Sequence, residues 1–338
     1  MGLRDGLRRF AAARPRPFVV QAAGGTEVRL EVEAGLRSRG WRPVASPAET
    51  GFLVVCGEPG TTLREAIDVV WADMPGPRAR VDLARVDDVP RLFEEAVPQP
   101  PSTGSSMGDV EMADRADDRD GLRLDVLHVP LGPVLAAWPA GLRLDVALQG
   151  DVVQDAQVTV VDTADGSFWE ESGGDRERRR AASHLDSLVR LLYVAGWDAA
   201  SGRAAVLRDE TLSGAPKDTL VPRYASFARM VGRSRTLRWM TRRLGVLPAD
   251  VAERHGVSGP ALRHAGDVRD RLDGWLHEAG QALDLIGAQP RPEERPGSGG
   301  LLEVMPELLV GAGLAEARLI VASLDPDLAE TAVVAADG

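Results

Sequence analysis

Residues 233–272 read RSRTLRWMTRRLGVLPADVAERHGVSGPALRHAGDVRDRL, and the fold follows from how this stretch is punctuated. A cationic helix comes first and GVLP (245–248) stops it, because glycine and proline end helices. A short helix then starts near Pro248 and carries Val251, Ala252 and His255. Gly256 ends it, and GVSGP (256–260) turns the chain: Gly256 and Gly259 supply positive φ, and Pro260 fixes the next φ. The flanks keep the helical period. Residues 178–195 place Ala182, Leu185, Leu188, Val189 and Leu192 on one face. Helices over 199–212 and 224–244 follow, the latter after Pro222. Residues 272–286 make another, with Trp275, Leu276, Ala279, Leu283 and Ile286 inward, so an antiparallel bundle is expected.

Upstream the period changes from helical to alternating. Leu142, Leu144, Val146 and Leu148, a Gly150-Asp151 turn, then Val153 and residues 157–161 predict a β-meander, with an earlier strand over 122–129. Nearer the N-terminus, short apolar runs at 18–21, 42–45, 51–57 and 79–83 alternate with helices over 27–39 and 63–74. The first helix carries Val28, Val32 and Leu36 at i, i+4, i+8; Thr61 and Thr62 cap the second. Strands alternating with helices imply a parallel sheet. The fold class is therefore α+β multidomain: a small flavodoxin-like α/β unit, then a β-meander with a helical bundle. The expected domains are 1–97, then a linker and acidic loop over 98–120, then 121–338 with its meander at 121–165, bundle at 175–290 and C-terminal segment at 301–330. PQPPSTGSSM (98–107) and residues 290–300 have linker composition.

A net charge of −11 over 338 residues argues against nucleic acid as a partner. The basic runs 176–180 and 229–243 read as solvated helix faces, with an acidic subunit or anionic lipid as the alternative. The acidic run 109–120 matches no calcium-loop spacing and reads as a solvated loop. One cysteine, Cys56, excludes a disulfide framework and any multi-cysteine metal site. His184, His255, His264 and His277 lack zinc spacing, so no metal is expected. No apolar run approaches ~18 residues, and the arginine-bearing N-terminus has no apolar signal core; it reads as a docking arm. The expected location is cytoplasmic, with peripheral association to the inner face of the cell membrane through partners.

RRLGVL (242–247), GVSGPALR (256–263), Ala265-Gly266 and Asp270-Arg271 together resemble the large peripheral-arm subunit of respiratory complex I and of membrane-bound nickel–iron hydrogenases. That family carries R-T-x-G-I-G-V-L, then G-x-[ST]-G-P-x-L-R-x-S-G, then D-x-R. Ala265 replaces the family serine. LGP (131–133), WPAG (138–141) and LQGDVV (148–153) resemble its β-domain loop, with both family histidines missing, one of them a quinone contact. Residues 301–330, with SLDP at 323–326, resemble the terminus, where a helix, a turn and a strand lead to S-[LI]-D-P; the hydrogenase cysteines are absent. AGGTEV (23–28), ASPAETGFLVVCG (45–57) and ADMPGPR (72–78) resemble the small iron–sulfur subunit, with its first two cluster cysteines falling at Ala23 and Thr26.

The resemblance implies a fusion of small and large subunits whose cofactor ligands are lost, hence no cofactor and no catalytic residue. Any surviving site would lie at the family's inter-domain seam: Gly256, Ser258, Gly259, Pro260, Arg263, Gly266 and Asp325, facing Trp138 and Gly141. Arg263 would be its polar anchor, paired with Asp325. The expected function is a non-catalytic structural or assembly subunit of a complex I-like or hydrogenase-like membrane complex, with that complex's subunits as partners. Two alternatives stay open: a NADH–quinone oxidoreductase-type catalytic subunit using a partner's cofactors, and a soluble ligand-binding regulator on the same scaffold.

Overall fold

A computed structural model describes residues 15–95, 114–117, 123–170, 176–288 and 299–329. The N-terminal arm, the 98–107 linker and most of the 290–300 linker lie outside the described residues.

The first unit is a three-stranded parallel sheet of β1 (Phe18–Gln21), β2 (Phe52–Cys56) and β3 (Ala79–Leu83), with β2 in the centre. Every residue of β2 is buried, as a continuous FLVVC run between two covered faces requires. α1 (Thr26–Ser38) and α2 (Thr61–Asp73) are the crossovers. α1 buries Val28, Val32 and Leu36 against Val54, Cys56 and Leu83; α2 buries Leu63 and Ile67 on the opposite face with Leu53 and Val55. α3 (Val89–Glu95) closes the unit.

Residues 42–45 do not form the expected strand. Pro43 has no N–H to give a ladder, and one rung, Val44 N–H to Pro17 O (2.9 Å), is all that joins them to the start of β1. The sheet thus keeps an unzipped edge where a flavodoxin-like order would have its second strand. The expected threonine cap is also absent: Gly60 is the N-cap of α2.

The second unit begins with an antiparallel sheet in the order β4 (Asp114–Asp117), β5 (Arg123–Leu131), β6 (Leu142–Gln149), β7 (Val152–Val160). Asp114 and Asp117, expected in a solvated loop, instead belong to an edge strand; the rest of that acidic run lies outside the described residues. Leu142, Leu144, Val146 and Leu148 all face inward, and Gly150, at φ +66°, makes the two-residue turn to β7.

The bundle comprises α4 (Arg176–Val194), α5 (Asp198–Leu212), α6 (Lys217–Gly232) and α10 (Val268–Leu285), with short helices α7 (Arg235–Thr241), α8 (Ala249–Arg254) and α9 (Gly259–Arg263) between the last two. Leu185, Leu188 and Leu192 of α4 pack with Leu207, Phe227, Leu272 and Trp275 in one core that also takes in the sheet's inner face. The helix expected over 224–244 breaks after Gly232, where Ser234 caps α7 by accepting from Leu237 N–H (3.3 Å). It also starts earlier, so that Pro222 sits inside α6.

α11 (Gly299–Leu309) and α12 (Leu314–Leu324) end the described chain. The terminal strand implied by the resemblance is therefore a helix. The hairpin docks on the turn between these helices through Gly311 N–H to Val153 O (2.8 Å), Val153 N–H to Ala312 O (2.9 Å) and Leu314 N–H to Asp151 O (2.9 Å). Among the described residues no helix is long and apolar enough to cross a membrane.

Candidate functional site

In a parallel α/β sheet the crevice beyond the carboxyl ends of the strands is where a ligand or cofactor sits. Here that crevice holds the turn 22–25 after β1 and residues 57–60 after β2. Gly25 lies hard against β2: a Cβ on it would come 2.0 Å from Cys56 O. Ala22 N–H donates to Cys56 O (2.9 Å) and Gly57 N–H to Leu83 O (2.8 Å), so the strand ends are knitted together.

A side chain from the second unit fills what remains. Asp162, just past β7 and 7% exposed, accepts from Ala23 N–H on Oδ2 and from Gly60 N–H on Oδ1, both at 2.8 Å. Gly60 opens α2, so the carboxylate also meets the positive end of that helix. Gly141, at φ +79°, makes the approach feasible, since a Cβ there would lie 2.2 Å from Asp162 O. Gly141, expected at the seam, packs on the Asp162 backbone within the second unit.

The residues present do not fit an iron–sulfur cluster. The Ala23 methyl is buried, the Thr26 hydroxyl accepts from Gln21 Nε2 (2.9 Å), and neither offers a thiolate. Cys56 points into the apolar core with Val28, Val32 and Leu36, where burial pushes its thiol well above the ordinary range.

A charged network seals the seam alongside. Arg29 donates to Asp186 (2.7 Å), to Glu33 (2.8 Å) and to Gln21 Oε1 (2.6 Å). Arg208, wholly buried, bonds Asp186 and reaches Glu33 at 2.8 Å. Arg190 donates to Asp186 (2.7 Å) and pairs with Asp325, which also accepts from Ser187 Oγ (2.7 Å). Arg37 pairs with Asp209. Arg29, Arg37, Arg190 and Arg208 thus face Glu33, Asp186, Asp209 and Asp325, a balanced set. Burial alone would raise Glu33, but Arg29 and then Arg208 outweigh it and hold it at about 2. Asp186 is likewise held well below the carboxylate range: burial opposes, and Arg29, Arg190 and Arg208 prevail. Glu33 and Asp186 therefore stay charged. The helical signal was present in the sequence, because Arg29, Glu33 and Arg37 recur at i, i+4, i+8 beside the apolar stripe.

Over this network opens a cleft of about 1080 Å³ whose walls include Arg37, Trp41, Trp138, Arg190, Tyr193 and Phe227. Trp138 is 8% exposed and commits its indole N–H to Leu142 O (2.8 Å).

The remaining expected residues serve the fold elsewhere. Gly256 and Gly259 have φ of +64° and +66°, as the turn requires. Ser258 is the N-cap residue of α9 and Pro260 opens that helix. Gly266, at φ +141°, abuts Asp270: a Cβ would lie 2.2 Å from its Oδ2. Arg263 pairs with Glu278 on α10, at 2.8 and 2.7 Å, and not with Asp325. His264 meets the same carboxylate at 2.7 Å and His184 at 3.2 Å. The turn packs under α11, where a Cβ on Gly300 would lie 2.3 Å from His255 O. Arg271, 1% exposed, ties the stretch together by donating to Gly245 O (2.9 Å), Gly266 O (2.8 Å) and Ser323 Oγ (3.0 Å). Burial pushes its guanidinium down to about 10, against Asp267 and Asp270.

The fold and site define a two-unit α+β chain with its sheet crevice plugged and its seam locked by buried charge. No family model matches this sequence. No curated protein matches it either. Among solved structures it is similar to a chain from "the membrane-bound sulfane sulfur reductase (MBS), an archaeal respiratory membrane complex", at 14% identity over 61% of this chain and 98% of that one, with a TM-score of 0.45.

Proposed function

We propose that this protein is a non-catalytic structural or assembly subunit of a membrane-bound redox complex of the complex I or hydrogenase kind. One observation carries the reading. The crevice that carries cluster ligands in the resembled small subunit is filled by the Asp162 carboxylate, hydrogen-bonded to Ala23 and Gly60. The domain division follows the same line, with a plugged small unit before residue 98 and the second unit from residue 121. Buried arginine–carboxylate pairs lock the two units into one rigid piece, which suits a scaffold better than a gate. A catalytic role with a partner's cofactors is less well supported, since Trp138 and Ala140 stand where the family has histidines and the Trp138 donor is already used.

The cleft favours one second reading, a regulator that takes a small ligand between the units. Purification of the tagged chain from its native host in mild detergent, with mass spectrometry of what accompanies it, separates the two. Stoichiometric subunits of a membrane redox complex support the scaffold. A bare chain that retains a small molecule in native mass spectrometry sinks it and promotes the regulator.

A further inference from the structure

The chain carries a net charge of −11, yet one face concentrates positive charge that no carboxylate among the described residues pairs with. α7 is held from below: Leu237 and Thr241 are buried, and Thr241 Oγ1 donates to Leu237 O (2.7 Å). The opposite face then presents Arg235, Arg238 and Trp239 at i, i+3 and i+4, and Arg242 follows at the extended C-cap, all four exposed. Arg229, Arg233 and Arg243 flank them and are exposed as well. Among the described residues none of these arginine side chains makes an ion pair. Arg238 reaches only Gly232 O, at 3.4 Å, and Arg243 uses its backbone N–H on Asp267. Trp239 is 81% exposed, whereas the other tryptophans of the chain are buried or half-buried. Val246, 50% exposed, follows in the next turn.

We propose that this stripe docks the protein directly on an anionic lipid bilayer. An indole standing proud of the surface is suited to the headgroup level, where its ring is half apolar and its N–H stays hydrated. Arginines around it are drawn to anionic headgroups, each strengthening association about fivefold near the surface. A protein interface is the poorer match. One indole and one valine supply far less apolar core than the roughly 800 Å² per side of a stable protein–protein contact. The docking surface stands on its own geometry and does not depend on membership of a redox complex.

The test is sedimentation of the full-length chain with vesicles of phosphatidylcholine alone or with a third phosphatidylglycerol, together with tryptophan emission. Binding to the anionic vesicles, weakened by salt and accompanied by a blue shift of emission, is expected; neutral vesicles should leave the chain in solution. Trp239→Phe should abolish the blue shift, because Trp239 is the exposed indole. Arg235→Gln/Arg238→Gln/Arg242→Gln should weaken binding about 100-fold with an unchanged circular dichroism spectrum. No binding to anionic vesicles, or binding indifferent to both variants, would overturn the proposal. So would displacement by polyglutamate with no emission shift, which would assign the stripe to an acidic protein.

Discussion

Replacing Asp162 with alanine removes the plug and leaves the N–H of buried Ala23 with no partner, while the N–H of exposed Gly60 can turn to water. Each bond joins a neutral donor to a charged acceptor at 2.8 Å and contributes about 1.5–3 kcal/mol. Water can replace the acceptor at Gly60, so the buried bond to Ala23 sets the cost at about 1.5–3 kcal/mol, above the ~1 kcal/mol typical of a point substitution. Asp162→Asn keeps one acceptor oxygen and turns an amide group toward the other donor, so about half that cost is expected. Urea unfolding gives the stability change. Hydrogen exchange locates it, because the Ala23 and Gly60 amides both lose their acceptor and should exchange faster, buried Ala23 by on the order of 10- to 100-fold, while the bundle core is unaffected. Asp162→Ala within about 0.5 kcal/mol of wild type, with both amides still protected, would refute the reasoning.

Glu33, held at about 2, and Asp186 have folded pKa values below their unfolded ones, so their contribution is complete above pH ~5 and lost as pH falls from ~4 toward 2; acid unfolding followed by fluorescence should show this limb, and Asp186→Asn should flatten it while lowering stability at pH 7. Gly25→Ala puts a methyl 2.0 Å from Cys56 O, a backbone atom of the central strand that cannot step aside, and a loss of about 3 kcal/mol is expected in thermal unfolding. The Cys56 thiol, buried and pushed up, should resist iodoacetamide at pH 8 in the folded protein and react fully in urea; rapid alkylation without denaturant would show that the first unit opens.

Much of the architecture was legible in the pattern of apolar residues. FLVVC and the alternation from Leu142 to Leu148 left little choice of period, and the turns at Gly150, Gly256 and Gly259 follow from residues that tolerate positive φ. The failures have physical causes. At 42–45 the apolar pair around Pro43 looked like a strand, but a proline cannot supply a ladder donor. Leu319, Ile320 and Val321 form an apolar run short enough to suit either period, and burial on all sides within the core permits the helix seen. The break at Ser234 was hidden inside an uninterrupted cationic pattern. The site was less legible because it is built from distant pairs. Asp162 meets Ala23 across 139 residues and Asp186 meets Arg29 across 157. No local spacing announces such contacts. Arg263 was expected to pair with Asp325, but it pairs with Glu278 on α10, while Asp325 is taken by Arg190.

A crevice plugged by Asp162 and lacking thiolates should not hold a cluster. The most direct test is anaerobic incubation of the purified full-length chain with ferrous iron and sulfide, followed by desalting, iron analysis and a visible spectrum. The chain should emerge without stoichiometric iron and without sulfide-to-iron absorption, its Ala23 and Gly60 amides still protected by Asp162. A stable chain carrying a full complement of cluster iron, with those two amides released, would contradict it.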